Sequence, residues 1–453
     1  MKVDTPRDLA LRVLTDLSRK PGFSASALDT LFKSRPRLEE RDRAFISHLV
    51  QGSIRWRQRL DWTLRQVSDV SLKKVSPAVL NILRLALYQI LFLDRVPESA
   101  AVNEAVKQAK KKGPSYVVSF VNAVLRNVCR RKERISFPDR AKTPVDYLSA
   151  FYSYPEWLVR KWVRGWGVDF AEALCGAQNR IAPLTVRTNT LKISREDLIR
   201  RLEEESSIAG EPTPYSPQGI HLPDLKGRVD QNKVFQEGLF QVQDEAAQLT
   251  SILLSPATDE TVLDLCAGYG GKATHLAELM KDQGKVIALD MNATRLVSLA
   301  TNAARLGIKN TLAVVADASK DLVDLFRTRF DRIVVDAPCS GLGVLSRHPD
   351  GKWNKKEEDI PRLAQLQKTI LNSGCRLLRS GGTLLYVTCT LSREENEDVV
   401  EACVTENKDM ALSDLRDQAP LWAKDVIDDR GFLRTFPHLH HMDGFFGALM
   451  RKR

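Results

Sequence analysis

Residues 262–272 read Val-Leu-Asp-Leu-Cys-Ala-Gly-Tyr-Gly-Gly-Lys. An apolar run ends in an acid, three glycines follow within four residues, and a helix-compatible stretch opens at Ala273. That order predicts a strand, a tight loop and a helix. Glycines let the backbone turn sharply and approach a ligand closely. A nucleotide P-loop is excluded, because Lys272 is not followed by Ser or Thr and the G-x-x-x-x-G-K-[ST] spacing fails. Outward from this loop, apolar runs at 262–266, 286–290, 312–317, 332–336 and 383–388 read as strands. Helical patterns at 273–281, 293–306 and 362–378 separate them. Such alternation predicts an α/β domain with a parallel sheet covered on both faces.

In sheets of that kind ligands sit beyond the carboxyl ends of the strands. Four acids stand there: Asp264, Asp290, Asp317 and Asp336. Asp264 before the glycines favours S-adenosylmethionine over a dinucleotide. Asp290 suits the ribose hydroxyls, and Asp317 the neighbourhood of an adenine. The expected cofactor set is Asp264, Cys266, Ala267, Gly268, Tyr269, Gly270, Gly271, Lys272, Asp290, Arg295, Asp317 and Asp336.

Two strand ends carry cysteines. One runs into Asp336-Ala337-Pro338-Cys339-Ser340-Gly341, the other into Thr388-Cys389-Thr390. Carbon 5 of cytosine is a poor nucleophile until a thiolate adds to carbon 6, which is covalent catalysis. The attacking thiol needs its pKa lowered, for which Lys272 is a candidate neighbour. A helix opening at Ser392-Arg393-Glu394-Glu395, read as a capping box, is a second source through its N-terminal dipole. Cys175 and Cys403 read as small buried hydrophobes.

The protein has 453 residues, enough for two or three domains. Its net charge of +11 is unevenly placed: residues 1–143 hold 29 of the 68 Lys+Arg but only 14 of the 57 Asp+Glu. A front third with that excess is expected to meet a polyanion. It reads as helices only, with basic clusters at Arg55-Arg57-Arg59, Lys110-Lys111-Lys112 and Arg130-Arg131-Lys132. Ser76-Pro77 reads as a helix start, and 78–93 as a buried core helix too short and polar to span a bilayer. Residues 136–235 have balanced charge. A strand is predicted at 184–191 and an amphipathic helix at 194–205, giving a small α+β subdomain. The expected division is 1–137, 138–235 and 236–453.

Seven cysteines, an odd count without a C-x-x-C pair, argue against a disulfide framework or a zinc site. Met1 to Asp8 contain no apolar leader core, so the expected compartment is the cytoplasm. His438-Leu439-His440-His441 is read as surface and no metal is expected. Trp157, Trp162 and Trp166 are spaced for a helix packing on a core.

These motifs resemble the RNA cytosine-C5 methyltransferases with two active-site cysteines. Gln243-Asp244-Glu245-Ala246, Arg347-His348-Pro349-Asp350 with Lys352-Trp353, and Asp443-Gly444-Phe445-Phe446 add to the likeness. Residues 86–128 are similar to the NusB-type RNA-binding domain. Together they resemble the RsmB (Sun/Fmu) branch, enzymes of 16S rRNA. The resemblance implies an all-α NusB-like front and a Rossmann-like class I S-adenosylmethionine-dependent methyltransferase domain. It implies Cys389 as nucleophile, Cys339 assisting product release, Asp336 at the base or cofactor, and Lys272 beside them. It also implies 16S rRNA as partner, free or in an early small-subunit particle, for a monomer away from any membrane. One departure is Gly268-Tyr269, where the family has Ala-Pro. Two other readings stay open: the same chemistry on tRNA or another rRNA cytosine, and an RNA-binding assembly or antitermination-like factor with a vestigial catalytic domain.

Overall fold

The computed structural model describes residues 4–20, 22–223, 225, 227–417 and 419–453. Met1, Lys2 and Val3, part of the stretch read for a leader, lie outside them. The chain divides into two units: Met1–Arg180 with Leu345–Glu357, and Ile181–Val344 with Glu358–Arg453.

The first unit is helical. Its apolar faces at helical spacing, Leu9, Leu14, Ile46, Leu49, Leu60, Leu64, Leu83, Leu87, Leu125 and Val128, close into one core. At the front, Thr5 and Asp8 form a reciprocal capping box on helix Pro6–Arg19. Helix Pro77–Phe92 is apolar nearly all round and lies in the middle. Its polar interruptions are satisfied: Asn81 donates to Leu14 O at 3.1 Å, Gln89 to Leu85 O at 2.8 Å, and Arg84 grips Asp61 twice at 2.7 Å. Ser76 stands at its N-cap but makes no side-chain cap bond, so Pro77 alone defines that start. Among the described residues no helix is long and apolar enough to cross a membrane.

The second unit holds two sheets. The strands in chain order are β1 Leu184–Thr188, β2 Glu211–Pro212, β3 Gly219–Leu222, β4 Phe240–Val242, β5 Thr261–Asp264, β6 Lys285–Asp290, β7 Thr311–Val315, β8 Phe330–Asp336, β9 Leu378–Thr388, β10 Met410–Ser413, β11 Leu433–Arg434 and β12 Phe446–Lys452. The small sheet runs β2-β3-β1-β4, antiparallel, packed by helix Arg195–Ser206. The predicted strand 184–191 stops at Thr188 because Asn189 turns its amide onto Gly238 O and Leu306 O, both at 2.8 Å.

The large sheet runs β10-β12-β9-β8-β5-β6-β7, with β11 paired to β12. β9, β8, β5, β6 and β7 are parallel, as expected. The expectation of a purely parallel sheet is corrected at one edge, where β12 and β10 add antiparallel. Successive side chains in the strands face opposite ways. Val262, Ala288, Val334 and Leu385 pack with helices Glu245–Leu254, Gly271–Leu279 and Ala293–Leu306. Leu263, Leu289, Ile333 and Leu384 pack with helices Asp359–Leu377 and Glu397–Glu406. A sheet covered on both faces leaves its carboxyl edge, not a face, as the place for chemistry.

Candidate active site

β5 ends at Asp264 and the chain turns through the glycine loop. Gly268 has φ of +55° and Gly270 of +82°. A Cβ at Gly270 would lie 2.4 Å from Leu299 Cγ, so this glycine lets the loop seat on helix Ala293–Leu306. A Cβ at Gly268 would meet nothing within 4 Å. Its amide instead donates to Asp290 Oδ2 at 2.9 Å, while Asp290 Oδ1 accepts from Asn292 N at 2.7 Å. Arg295 reaches Asp290 at 3.9 Å and lies 5.8 Å over the exposed Tyr269 ring. Ala267 N donates to Leu289 O at 2.9 Å, holding the loop to β6.

Asp264 is almost fully buried. One oxygen accepts from Cys266 N at 3.3 Å; the other has no hydrogen-bond partner. Burial, helped by the nearby Asp336, pushes its carboxyl up to about 7. The Cys266 thiol is raised by the same burial and by the surrounding acids. An orphaned buried carboxylate oxygen beside an open glycine cradle fits a ligand bearing a positive charge and a polar, flat body. Asp317 lies two residues beyond β7, where its carboxylate caps Ser319 at 2.9 Å to N and 2.7 Å to Oγ. Those bonds hold it below the ordinary carboxylate range.

Lys272, in the first turn of helix Gly271–Leu279, is 7 % exposed and donates to Asp336 Oδ2 at 2.7 Å. Burial works against its charge, yet Asp336 and Asp264 more than offset this and raise its pKa. Its ammonium also lies 5.4 Å from the Phe445 ring. Cys339 Sγ and Cys389 Sγ stand 3.3 Å apart, bringing together residues fifty positions apart in the chain. The expected lowering of the Cys389 pKa is not found. The hydrogen bond to Cys339 and burial raise it well above the ordinary thiol value, with Lys272 opposing them.

The second correction concerns Ser392 to Glu395. No capping box forms: Arg393–Glu395 is a single 3-10 turn, and the helix starts at Glu397 with acids in its first turn. Glu395 turns inward instead and is fully buried. It accepts from Ser340 N at 2.8 Å, Ser340 Oγ at 2.5 Å and Gln367 Nε2 at 3.0 Å. Asn396 next to it donates to Thr390 O at 3.0 Å and accepts from Thr388 Oγ1 at 2.5 Å. Gln367 also donates to Pro338 O at 3.0 Å. One buried carboxylate and two amides thus tie the two cysteine loops together. Sequence reading missed Gln367 and Asn396, and gave Glu395 a capping role in place of this one. Gly343 and Gly444 complete the wall. Their backbones bond at 2.9 Å, and a Cβ at Gly343 would lie 1.9 Å from Gly444 O.

Arg187 of β1 is also fully buried. It holds Glu278 at 2.7 and 3.0 Å, Gly271 O at 2.9 Å, Thr274 Oγ1 at 3.2 Å, and Gln243. The small sheet therefore anchors the start of the helix that carries Lys272. Trp162 is core, as expected, while Trp157 and Trp166 are half-buried. His440 accepts from Phe436 N at 2.9 Å through Nδ1. Among the described residues no group of three or more His, Cys, Asp or Glu is arranged to hold a metal.

Three segments match known families: residues 4–130 the NusB family, 154–226 a ferredoxin-like domain of RsmF/B-like methyltransferases, and 251–451 the family described as 16S rRNA methyltransferase RsmB/F. The chain is 37% identical over 454 residues to the probable ribosomal RNA small subunit methyltransferase B of Bacillus subtilis, covering 100% of both. To the ribosomal RNA small subunit methyltransferase B of Escherichia coli it is 31% identical, covering 92% of each. Among solved structures, PH0851 superposes with a TM-score of 0.79 at 29% identity, covering 100% of both chains. NSun6 from Pyrococcus horikoshii, solved with SFG, gives 0.59 at 26%, covering 67% of this chain and 99% of that one.

Proposed function

Because the chain belongs to the RsmB/F family of ribosomal RNA small subunit methyltransferases, we propose that it methylates carbon 5 of a cytosine in 16S rRNA through a covalent Cys389 adduct. The observation that carries this is the pair of sulfurs 3.3 Å apart at neighbouring strand ends, beside the Lys272–Asp336 pair. A single nucleophile would need one thiol. Two in contact suit a reaction in which one sulfur bonds carbon and must later leave.

The family uses S-adenosylmethionine, which supplies an activated methyl group on a sulfonium. The residues proposed to hold it are Asp264 to Lys272 with Asp290, Arg295 and Asp317. The partnerless Asp264 oxygen and the open Gly268 support that assignment. In the proposed sequence Cys389 loses its proton and its sulfur bonds carbon 6. Electron density moves to carbon 5, which takes the methyl group. The carbon-5 proton is then removed and the sulfur–carbon bond breaks, freeing Cys389. Lys272 opposes the rise in the Cys389 pKa and orients Asp336, whose role is to hydrogen-bond the base. Cys339 is placed to pass a proton at the release step. Residues 1–137 are proposed as the RNA-binding module and 138–235 as the module that braces the catalytic domain, 236–453.

Incubation with S-adenosylmethionine and unmethylated 16S rRNA tests this. Cys389→Ala is expected to form no 5-methylcytosine while still binding the cofactor. Cys339→Ala is expected to accumulate an enzyme–RNA adduct that survives a denaturing gel. Methylation at another atom, or an adduct that persists in Cys389→Ala, defeats the proposal.

A further inference from the structure

The helical unit contains a cleft of about 550 Å³ that the chemistry above does not use. Its volume lies within the roughly 300–1,000 Å³ of small-ligand sites. It opens between helices Glu40–Arg55, Arg57–Val67 and Pro77–Phe92 and the segment Leu345–Glu357, which belongs to the same unit. The segment is fixed there. Trp353 Nε1 donates to Ile54 O at 2.7 Å, Arg55 donates to Ser346 O at 2.8 Å, and Asp350 accepts from Ser24 Oγ at 2.6 Å.

Three features of the lining point to a ligand. Arg57 is exposed, lies 5.3 Å over the Trp353 ring, and forms no ion pair among the described residues. The neighbouring cation, Arg84, is already neutralised by Asp61 in a doubly hydrogen-bonded pair. Burial works against the Arg57 charge, Arg84 adds to this and Asp61 eases it, so an arriving anion would stabilise the guanidinium. Ser53, 3 % exposed, lines the cleft with a buried hydroxyl that has no partner. An indole ring, an unpaired guanidinium and an orphaned hydroxyl in one cleft match the parts of a nucleotide: base, phosphate and sugar hydroxyl. Asp350 is the one acid in the lining, and its carboxylate is bonded to Ser24.

We propose that this cleft takes one unpaired nucleotide of the RNA substrate, its base against Trp353 and its phosphate on Arg57. The proposal rests on RNA being the substrate but not on which base is methylated. The site lies in the helical unit and would set the register of the RNA, not perform chemistry on it.

Filter binding of full-length protein to unmethylated 16S rRNA across a salt series tests it. Arg57→Glu is expected to weaken binding at least tenfold and to reduce the salt slope by about one. The loss should appear in KM for RNA and not in KM for S-adenosylmethionine, and Arg57→Lys should recover most of it. Arg362→Glu, a charge reversal at an exposed position of helix Asp359–Leu377 in the other unit, is the comparison. An equal loss in both variants overturns the proposal. Should Arg57→Glu fold poorly, photo-crosslinking of 4-thiouridine-substituted rRNA to the unmodified protein decides. Adducts within 53–57 or 350–356 support the cleft, and adducts only elsewhere reject it. RNA binding and crosslinking are read without any methylation. A failure of the cytosine-C5 reading would instead appear as a different methylated atom with both of these intact.

Discussion

Asp264, proposed above to hold the cofactor, is a buried carboxylate kept at the expense of stability. Its ordinary value is 3.8 and its value in the folded protein about 7, raised first by burial and then by Asp336. Between those limits the unfolded chain gives up the proton and the folded chain keeps it. The stability present at low pH is therefore lost as pH rises toward 7. Asp264→Asn removes that dependence. Its advantage in unfolding free energy over the native protein should grow by about 2 kcal/mol between pH 5.5 and pH 8, while cofactor affinity falls at least tenfold. Urea denaturation and cofactor titration at both pH values check this; a gap that does not change with pH defeats it. The Cys389 thiol is likewise held well above its ordinary value, by the contact with Cys339 and by burial.

At the scale of elements, the helix that follows the glycine loop is held by a strand of the small sheet. Arg187 on β1 and Glu278 on helix Gly271–Leu279 are both fully buried and meet at 2.7 Å. Arg187 also takes Gly271 O, so the strand fixes the first turn of the helix that carries Lys272. Glu278→Gln leaves a buried guanidinium without its counter-charge and is expected to cost about 3–5 kcal/mol. The double change Arg187→Met with Glu278→Leu should cost less than Glu278→Gln alone. Denaturant unfolding of the three proteins measures both, and a single-variant loss below 1 kcal/mol contradicts the bracing role. The strands and helices around this pair were legible beforehand, because their periodicity is local. The pair itself was not: Arg187 sat in an alternating run and Glu278 in a helix, and nothing in either pattern names the other. Glu395 escaped notice for a related reason. Its spacing from Ser392 satisfied a local capping rule, and a tertiary contact with Ser340 won.

At the scale of the whole molecule, neither unit is one continuous stretch of chain. Leu345–Glu357 leaves the catalytic unit just after the Cys339 loop and belongs to the helical unit. Lys352 is its anchor: fully buried, it donates to Asn179 Oδ1 at 2.6 Å and to Arg55 O and Ser153 O at 3.2 Å, with its ammonium 3.6 Å from the Tyr154 ring. Lys352→Ala would empty that cage and leave three buried acceptors short of a donor. It is expected to cost about 2–5 kcal/mol and to speed trypsin cleavage after Lys355 and Lys356. Limited proteolysis followed by mass spectrometry reads this directly, and an unchanged cleavage pattern counts against the anchor.

By itself the sequence determined the three kinds of module, the glycine loop, the strand-end acids and the two cysteine motifs. Each is written in residues close together in the chain, where turn chemistry and hydrophobic period act. Tertiary structure alone decided that two sulfurs fifty residues apart lie in contact, that Glu395 ties their loops, that Arg187 braces helix Gly271–Leu279, and that Lys352 belongs to the helical unit. Those outcomes depend on which buried polar groups find one another once the chain has closed, because only burial makes an unpaired group costly enough to select its partner.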